Sequence, residues 1–183
     1  FTVIEHGIDT ELFSPAETEK KRHVLTVANQ FFAPEREWCL GSSIYKRIMG
    51  GIPALHLGDD PPHWQPAKNV DELVGRYRES AVFLNTSTFS PIPTALLEAA
   101  ACGCAIVTTA TGAIPEIFTD GKDAFVTNDE SLLKRRLLEL LDNPALQKEL
   151  GDNARQLILQ RFNLNRLIDD WNCVFDKAAL IRT

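Results

Sequence analysis

Six short, largely apolar runs alternate with segments of helical periodicity, and this alternation constrains the fold of the chain more than any other feature. We predict strands at residues 3–5, 24–28, 54–57, 81–84, 105–109 and 124–127. We predict helices at residues 42–49, 71–79, 94–102, 115–119 and 131–141. Runs this apolar are typical of strands buried on both faces of a parallel sheet. The order predicts an α/β fold, a Rossmann-like doubly wound parallel sheet with helices on both faces.

The chain is predicted to be purely helical after Asn143 and Pro144. Two apolar stripes with helical spacing follow. The first stripe consists of Leu146, Leu150, Ala154, Leu157 and Ile158, and the second of Leu164, Leu167, Ile168, Trp171, Val174, Phe175 and Ala178. They predict two extra C-terminal helices beyond the sheet.

Composition excludes several classes of protein. With 183 residues and 44% hydrophobic residues, residues 1–183 are predicted to form a single domain with a sizeable core. A net charge of −6 without a basic stripe argues against nucleic-acid binding. No apolar run approaches the roughly 18 residues of a membrane span. Cys39, Cys102, Cys104 and Cys173 lack zinc-ligand or redox spacing, which predicts unpaired thiols and a cytoplasmic location.

Residues 90–116 carry the strongest functional signal. Pro91 and Pro93 precede a predicted helix, whose unpaired amides at Thr94, Ala95 and Leu96 would face the carboxyl edge of the sheet. Helix N-termini at this edge favour anions. One turn further on, the carboxylate of Glu98 is suited to accept two hydrogen bonds from vicinal hydroxyls, such as those of a ribose. The segment therefore predicts a nucleotide site, although Glu98 is also compatible with a solvated helix glutamate.

This segment resembles the donor-binding signature of the retaining glycosyltransferases of family 4, which have the GT-B architecture of two facing Rossmann-like domains. In that signature a second glutamate is followed by a small-residue helix end, a strand and a Gly-Gly-x-Pro-Glu turn. The chain has Glu98, the residues AAACG at 99–103, the strand AIVTT at 105–109 and the turn GAIPE at 112–116, in that order. The resemblance covers nearly the whole chain and implies the C-terminal, donor-binding half of such an enzyme.

The chain departs from the family pattern at several positions. Ser90 stands where the family has its first glutamate, which contacts the donor sugar, and Pro93 replaces a common glycine. Asn29 stands at the position of a diphosphate-binding arginine, and Arg36 replaces the following lysine only if the loop is about two residues longer. The resemblance thus implies donor binding by Glu98, Ser90, Thr94, Ala95, Asn29, Arg36 and Gly112. It assigns no catalytic residue.

Simpler structural interpretations remain open for several residues. Ser90 is equally suited to capping a turn, and Arg36 to an ordinary surface position. Gly112 and Ala113 either supply amides to the donor or only form the turn before Pro115. The acidic pair Asp59 and Asp60, with His63, is more typical of a turn than of a metal site.

The resemblance implies transfer of a glycosyl group from a nucleotide-diphosphate sugar, with retention of configuration and without a bound metal or other cofactor. It also implies that an N-terminal domain holds the sugar or lipid-linked acceptor, and it is compatible with peripheral membrane association of the full-length protein. This chain alone is then expected to bind donor but transfer little. The last helix would return to the first domain, so part of its apolar stripe is expected to be exposed and to promote self-association.

Two other functions are compatible with parts of the sequence. A non-catalytic sugar-nucleotide-binding or partner domain fits the departures at Ser90 and Asn29, because a fold and a site can persist without chemistry. A nicotinamide-dependent oxidoreductase shares the architecture, but the first predicted buried strand is followed by ANQFFAPE instead of a G-x-G-x-x-G turn. The sequence therefore disfavours the oxidoreductase.

Overall fold

Five parallel strands form the centre of the structure, a computed structural model that describes residues 2–62 and 64–180. The strands are β1 (Lys21–Val27), β2 (Ala54–Leu57), β3 (Ser80–Asn85), β4 (Ala105–Thr108) and β5 (Phe125–Val126). They are arranged in the order β2-β1-β3-β4-β5. Leu25 of β1 pairs with Leu55 of β2 on one side and with Phe83 of β3 on the other, which sets the register of these three strands. The predicted parallel sheet is confirmed.

Helices cover both faces of this sheet. They are α1 (Glu37–Leu40), α2 (Ser42–Ile48), α3 (Val70–Glu79), α4 (Thr94–Ala101), α5 (Ile114–Ile117), α6 (Glu130–Asp142), α7 (Pro144–Arg161) and α8 (Leu164–Leu180), with a short 3₁₀ turn at Pro34–Arg36. Alternate strand residues point to opposite faces. Leu25, Phe83 and Ile106 pack against α3, α4 and α5, whereas Val24 and Val82 pack against α2 and α6.

Small side chains let α4 lie close to its neighbours. Ala99, Ala100 and Ala101 have no exposed surface. At Gly151 of α7, an added Cβ would lie 2.4 Å from the carbonyl oxygen of Gly103, so α7 packs directly on the turn that ends α4. This close contact between α7 and the end of α4 helps to fix the position of the α4 N-terminus at the opposite end of the helix.

The strand predicted at residues 3–5 is wrong. This segment lies outside the sheet, against the junction of α7 and α8. The guanidinium group of Arg166 donates to the carbonyl oxygens of Glu5 (3.0 Å) and His6 (2.7 Å), and the amide of Ile8 donates to Phe162 O. Side-chain donors thus satisfy backbone acceptors that a neighbouring strand would otherwise satisfy.

Helix α8 exposes much of its apolar stripe, as the sequence predicted. Ile168, Trp171 and Phe175 are all exposed, and the rings of Trp171 and Phe175 stack with centroids 5.5 Å apart. Such a surface is typical of a face that is covered by another protein surface. Among the described residues, no helix has the combination of length and apolar character that would let it cross a bilayer.

Candidate functional site

A cavity of about 380 Å³ opens at the carboxyl edge of the sheet, between the segments that follow β1 and β3. The chain leaves β1 towards β2 on one side, while β3 and β4 lie on the other side. This reversal between neighbouring strands is the place where open α/β sheets bind ligands. The lining includes Asn29, Arg36, Ser90, Thr94 and Ala95, so the structure brings five of the seven predicted donor-binding residues together.

The N-terminus of α4 faces this cavity. Pro93 precedes the helix in an extended conformation and, like Thr94 and Ala95, lines the cavity. Among the described residues, no acceptor pairs with the amides of Thr94 and Ala95. The amide of Leu96, however, donates to Pro93 O at 3.1 Å, so the expectation that it is unpaired is wrong. Two amides and the positive end of the helix dipole therefore remain for an anion.

Arg36 is the charged side chain that the described lining residues contribute to the cavity. It is exposed, and none of the ion pairs found among the described residues uses its guanidinium group. It ends the 3₁₀ turn at Pro34–Arg36, where its carbonyl oxygen accepts a hydrogen bond from Cys39 Sγ. Without an acidic neighbour in the lining, Arg36 makes the cavity electropositive in a chain of net negative charge.

Asn29 organises the loop after β1. Its side-chain oxygen accepts a hydrogen bond of 2.9 Å from the amide of Asp59, and Asp60 Oδ2 accepts one of 2.7 Å from the amide of Phe32. Both aspartates thus belong to a network that links this loop to the one after β2. His63 lies outside the described residues, and within residues 2–62 and 64–180 no cluster of three metal-ligating side chains occurs.

Gly112 packs directly against the backbone of Ser90. A Cβ added at Gly112 would lie 2.0 Å from Ser90 O, and the φ angle of 51° also favours glycine. The amide of Ala113 donates to Pro91 O at 2.9 Å, so it is occupied within the protein. Gly112 is not part of the cavity lining, and its contact with Ser90 fixes the course of the chain at the cavity wall.

Glu98 lies on α4 one turn beyond Thr94, outside the lining of the cavity. The buried hydroxyl group of Tyr77 donates a hydrogen bond of 2.9 Å to Glu98 Oε2. Burial raises the pKa of the Glu98 carboxyl group, and the hydrogen bond from Tyr77 acts in the opposite direction. Burial also raises the pKa of Tyr77 well above its usual value, so Tyr77 remains a neutral donor.

A second cavity of about 380 Å³ adjoins the first, with which it shares Val27 and Asn29. Its remaining walls come from the end of β2 and the start of α3. They are Leu57, Gly58, Pro66, Ala67, Asn69, Val70 and Leu73. Tyr77 lies one turn from Leu73 on the same helix, so α3 connects this cavity with the Glu98 contact. Neither this cavity nor the contact of Tyr77 with Glu98 was expected from the sequence.

Comparison with protein families shows where the chain belongs. The family model described as "Glycosyl transferases group 1" matches residues 57–157, more than half of the chain. The chain belongs to the group 1 glycosyltransferase family. The matched residues contain Glu98, Ser90 and Gly112, whereas Asn29 and Arg36 precede them.

One relative and two solved structures are similar to nearly the whole length of this chain. The chain is 24% identical to an alpha-maltose-1-phosphate synthase of Mycolicibacterium smegmatis, over 97% of this chain and 57% of the relative. Sucrose-phosphate synthase of Thermosynechococcus elongatus superposes with a TM-score of 0.79 at 15% identity, over 97% of this chain and 52% of that one. An Anabaena protein, HepE in complex with UDP and glucose, superposes with a TM-score of 0.77 at 15% identity, over 97% and 56%.

These structural likenesses show the fold of the group 1 glycosyltransferase chain. It is a parallel five-stranded sheet with helices on both faces, as in one half of a GT-B enzyme. The chain spans about half the length of the proteins it matches. The matched proteins therefore contain residues beyond the part that this chain represents.

Proposed function

We propose that this chain is the donor-binding domain of a retaining glycosyltransferase that transfers a hexosyl group from a nucleotide-diphosphate sugar. The observation that carries the proposal is the cavity between β1 and β3, where the free amides of Thr94 and Ala95 and the guanidinium group of Arg36 surround one space. These groups are all hydrogen-bond donors, and a diphosphate consists of acceptors.

The diphosphate would occupy this first cavity. Two backbone amides and the dipole of α4 would stabilise the negative charge that develops on the leaving group, and Arg36 would add a full positive charge. In this proposal Asn29 contacts the donor only through its amide nitrogen, since its oxygen is already bonded to the amide of Asp59. Ser90 supplies a neutral hydroxyl where the glycosyl group begins.

The nucleoside would extend from the first cavity towards the second. Glu98 Oε1 has no hydrogen-bond partner among the described residues and would accept from the ribose hydroxyls, while Tyr77 holds the other carboxylate oxygen. The largely apolar second cavity, with Pro66, Val70 and Leu73, would hold the base. Asn69 caps α3 through its side-chain oxygen, which accepts from the amide of Glu72, and so fixes one edge of this cavity.

Transfer requires an acceptor, which we assign to an N-terminal domain of the complete enzyme. Closure of the two domains would exclude water and bring the acceptor hydroxyl to the donor. By itself the chain should bind the nucleotide and transfer little. We further propose a cytoplasmic location, because Cys102 and Cys104 have buried, free thiols, which are typical of a reducing compartment.

Isothermal titration of the 183-residue chain with UDP, UDP-glucose and uridine tests the proposal. We expect UDP to bind more tightly than uridine, because uridine lacks the diphosphate that the first cavity would hold. Glu98→Gln keeps the shape of the side chain but removes its charge. This variant should weaken the binding of uridine and of UDP by the same factor, about tenfold. If Glu98→Gln bound uridine as tightly as the wild type does, the assignment of Glu98 to the ribose would be wrong.

The second candidate is a non-catalytic sugar-nucleotide-binding domain. One observation favours it: among the described residues that line the cavity, Arg36 is the single charged side chain available to stabilise a departing diphosphate. Transfer assays with the complete protein distinguish the two functions, since only an enzyme would release UDP from UDP-glucose in an acceptor-dependent way.

A further inference from the structure

Two large aromatic side chains lie exposed next to each other at the carboxyl edge of the sheet. Trp38 of α1 and Phe89 of the loop after β3 are each 64% exposed, and their ring centroids are 5.3 Å apart at an angle of 42°. Phe89 lines the first cavity, and Trp38 lies beside it, just outside the lining. The pair therefore extends the wall of the first cavity outwards into solvent.

The backbone under these two rings is held by several hydrogen bonds between α1 and the loop after β3. Thr88 Oγ1 donates to Trp38 O at 2.6 Å, and the amides of Thr88 and Phe89 donate to Cys39 O at 3.0 and 3.3 Å. A Cβ added at Gly41 would lie 2.1 Å from Thr86 O, so the two segments are also in direct contact one turn later. Both rings are thus displayed by a fixed backbone.

Exposed aromatic rings on a rigid backbone bind ligands at low entropic cost, because few rotatable bonds have to be ordered. Aliphatic C–H groups on one face of a pyranose ring form an apolar patch that packs on aromatic rings through dispersion. With the diphosphate in the first cavity, Phe89 and Trp38 would lie on the solvent side of the reacting carbon. A saccharide that approaches from solvent would meet them first.

We propose that Trp38 and Phe89 form a stacking surface for a pyranose ring of the acceptor. The proposal rests on the function proposed above, and it gives this half of the enzyme a part in acceptor binding. It commits to a saccharide acceptor, since the pair offers apolar ring faces beside the electropositive cavity and the rings themselves carry no charge for an anionic group.

An NMR titration of the 183-residue chain with maltose and with methyl α-D-mannopyranoside, with and without saturating UDP, tests this proposal. The tryptophan indole signals report on three separate places, Trp38, the buried Trp64 and Trp171 on α8. We expect one or both saccharides to shift the Trp38 signal and to leave the other two unchanged. Trp38→Ala should weaken saccharide binding about three- to tenfold and leave the affinity for UDP unchanged, because Trp38 lies outside the lining of the first cavity. Phe89→Ala should weaken saccharide binding by a similar factor.

Phe175→Ala serves as the matched control, because it removes one ring of the other exposed aromatic pair, on α8. This variant should bind saccharides as the wild type does. If neither saccharide shifted the Trp38 indole signal, the proposal would be overturned. Contact of the two rings with another protein surface would then be the alternative. If Trp38→Ala weakened the binding of UDP-glucose but not of UDP, Trp38 would contact the donor sugar, and the proposal of an acceptor surface would be overturned. Absence of UDP binding would instead contradict the proposed function, while the nucleotide-free titration still tests the aromatic pair.

Discussion

The hydroxyl group of Tyr77 donates a hydrogen bond of 2.9 Å to Oε2 of Glu98 and so joins α3 to α4. Tyr77 has no exposed surface, and its neutral form is stabilised by burial. One oxygen of the carboxylate is therefore held by the protein, whereas Oε1 has no partner among the described residues. Tyr77 acts here as a positioning residue, which orients Glu98 without itself contacting the ribose that we propose.

We predict that Tyr77→Phe changes the pH dependence of nucleoside binding. The ionised Glu98 carboxylate accepts hydrogen bonds more strongly than the protonated acid, so affinity for the nucleoside should fall as the pH falls through its raised pKa. The Tyr77 hydroxyl lowers this pKa, so its removal should move the acid limb to higher pH. Tyr77 is the titratable group that faces Glu98, while Cys102 and Cys104 lie near Tyr77 itself. Uridine affinity is the measurement, because uridine has no titrating phosphate.

Tyr45→Phe is the control for loss of a buried hydroxyl group. Tyr45 is also buried, with 6% of its surface exposed, and its hydroxyl is bonded to His56 Nδ1 at 2.9 Å, on the other face of the sheet. Each variant should lose about 1 kcal/mol of unfolding free energy, but only Tyr77→Phe should move the acid limb. The same pH profile in wild type and Tyr77→Phe, together with an intact effect of Glu98→Gln, would remove Tyr77 from the site and leave Glu98 in it.

We predict that Arg36→Met weakens UDP binding about tenfold and leaves uridine binding unchanged, because the lost charge faces the diphosphate. The difference between wild type and variant should shrink as salt is added, since exposed charges are screened. Arg22→Met is the control, because Arg22 is an arginine at the opposite end of β1 that pairs with Asp142. Weaker uridine binding in Arg36→Met would indicate damage to the fold instead of a lost phosphate contact.

We predict that Gly112→Ala destabilises the fold more than Gly121→Ala does. Both glycines have positive φ angles, of 51° and 77°, so alanine should cost about 1 kcal/mol at either position. Only at Gly112 would the new Cβ also collide with the carbonyl oxygens of Ser90 and Pro91, while it meets open space at Gly121. Urea unfolding measures the difference, and equal losses would show that the Ser90 loop moves freely. UDP-glucose affinity should fall only in Gly112→Ala.

We predict that the Glu5–Arg161 ion pair stabilises the fold in a pH-dependent way. The hydrogen bond from Arg161 lowers the pKa of Glu5 below its usual 4.5. The contribution of this ion pair to the free energy of unfolding is therefore complete above pH 4.5, and it is lost as the pH falls through the lowered pKa of Glu5. Arg161→Met should lose about 0.5–1 kcal/mol at neutral pH, since both side chains are partly exposed, and less in acid. Urea unfolding at several pH values measures this.

Lys148→Met is the matched control for that ion pair. Its pair with Asp152 is much more exposed, with 77% and 62% of the two side chains accessible. We expect no measurable change of stability at any pH. A loss in Arg161→Met that is the same at neutral and acid pH would mean that packing of the arginine stem, and not its charge, stabilises the junction.

The sheet could be predicted from sequence because its strands β3 and β4 are buried on both faces. Residues 81–84 and 105–107 are apolar without interruption, and such runs are typical of buried parallel strands. The segment 3–5 has the same local character, but its partner is Arg166, more than 150 residues away along the chain. Helix α1 was not predicted either, because four residues show no periodicity. The conformation of residues 3–5 and the formation of α1 both depend on tertiary contacts.

The site could be predicted in part for the same reason. Thr94 and Ala95 follow two prolines at a helix start, which is a local signal. The occupied amides of Leu96 and Ala113 depend on how the chain turns at Pro93 and Pro91, which the residue types do not specify. The Tyr77–Glu98 contact and the second cavity join α3 to distant segments. A tyrosine one turn after Leu73 on an amphipathic helix was the available sequence signal for them.

Two arginines fasten the opening segment of the chain to the start of its final helix. Arg161 holds the side chain of Glu5, and Arg166 holds the carbonyl oxygens of Glu5 and His6. A movement of α8 that breaks the Arg166 bonds leaves the Glu5–Arg161 ion pair in place, because Arg161 belongs to α7. The opening segment is therefore attached independently to both helices of this junction, so either attachment keeps it in place when the other is broken.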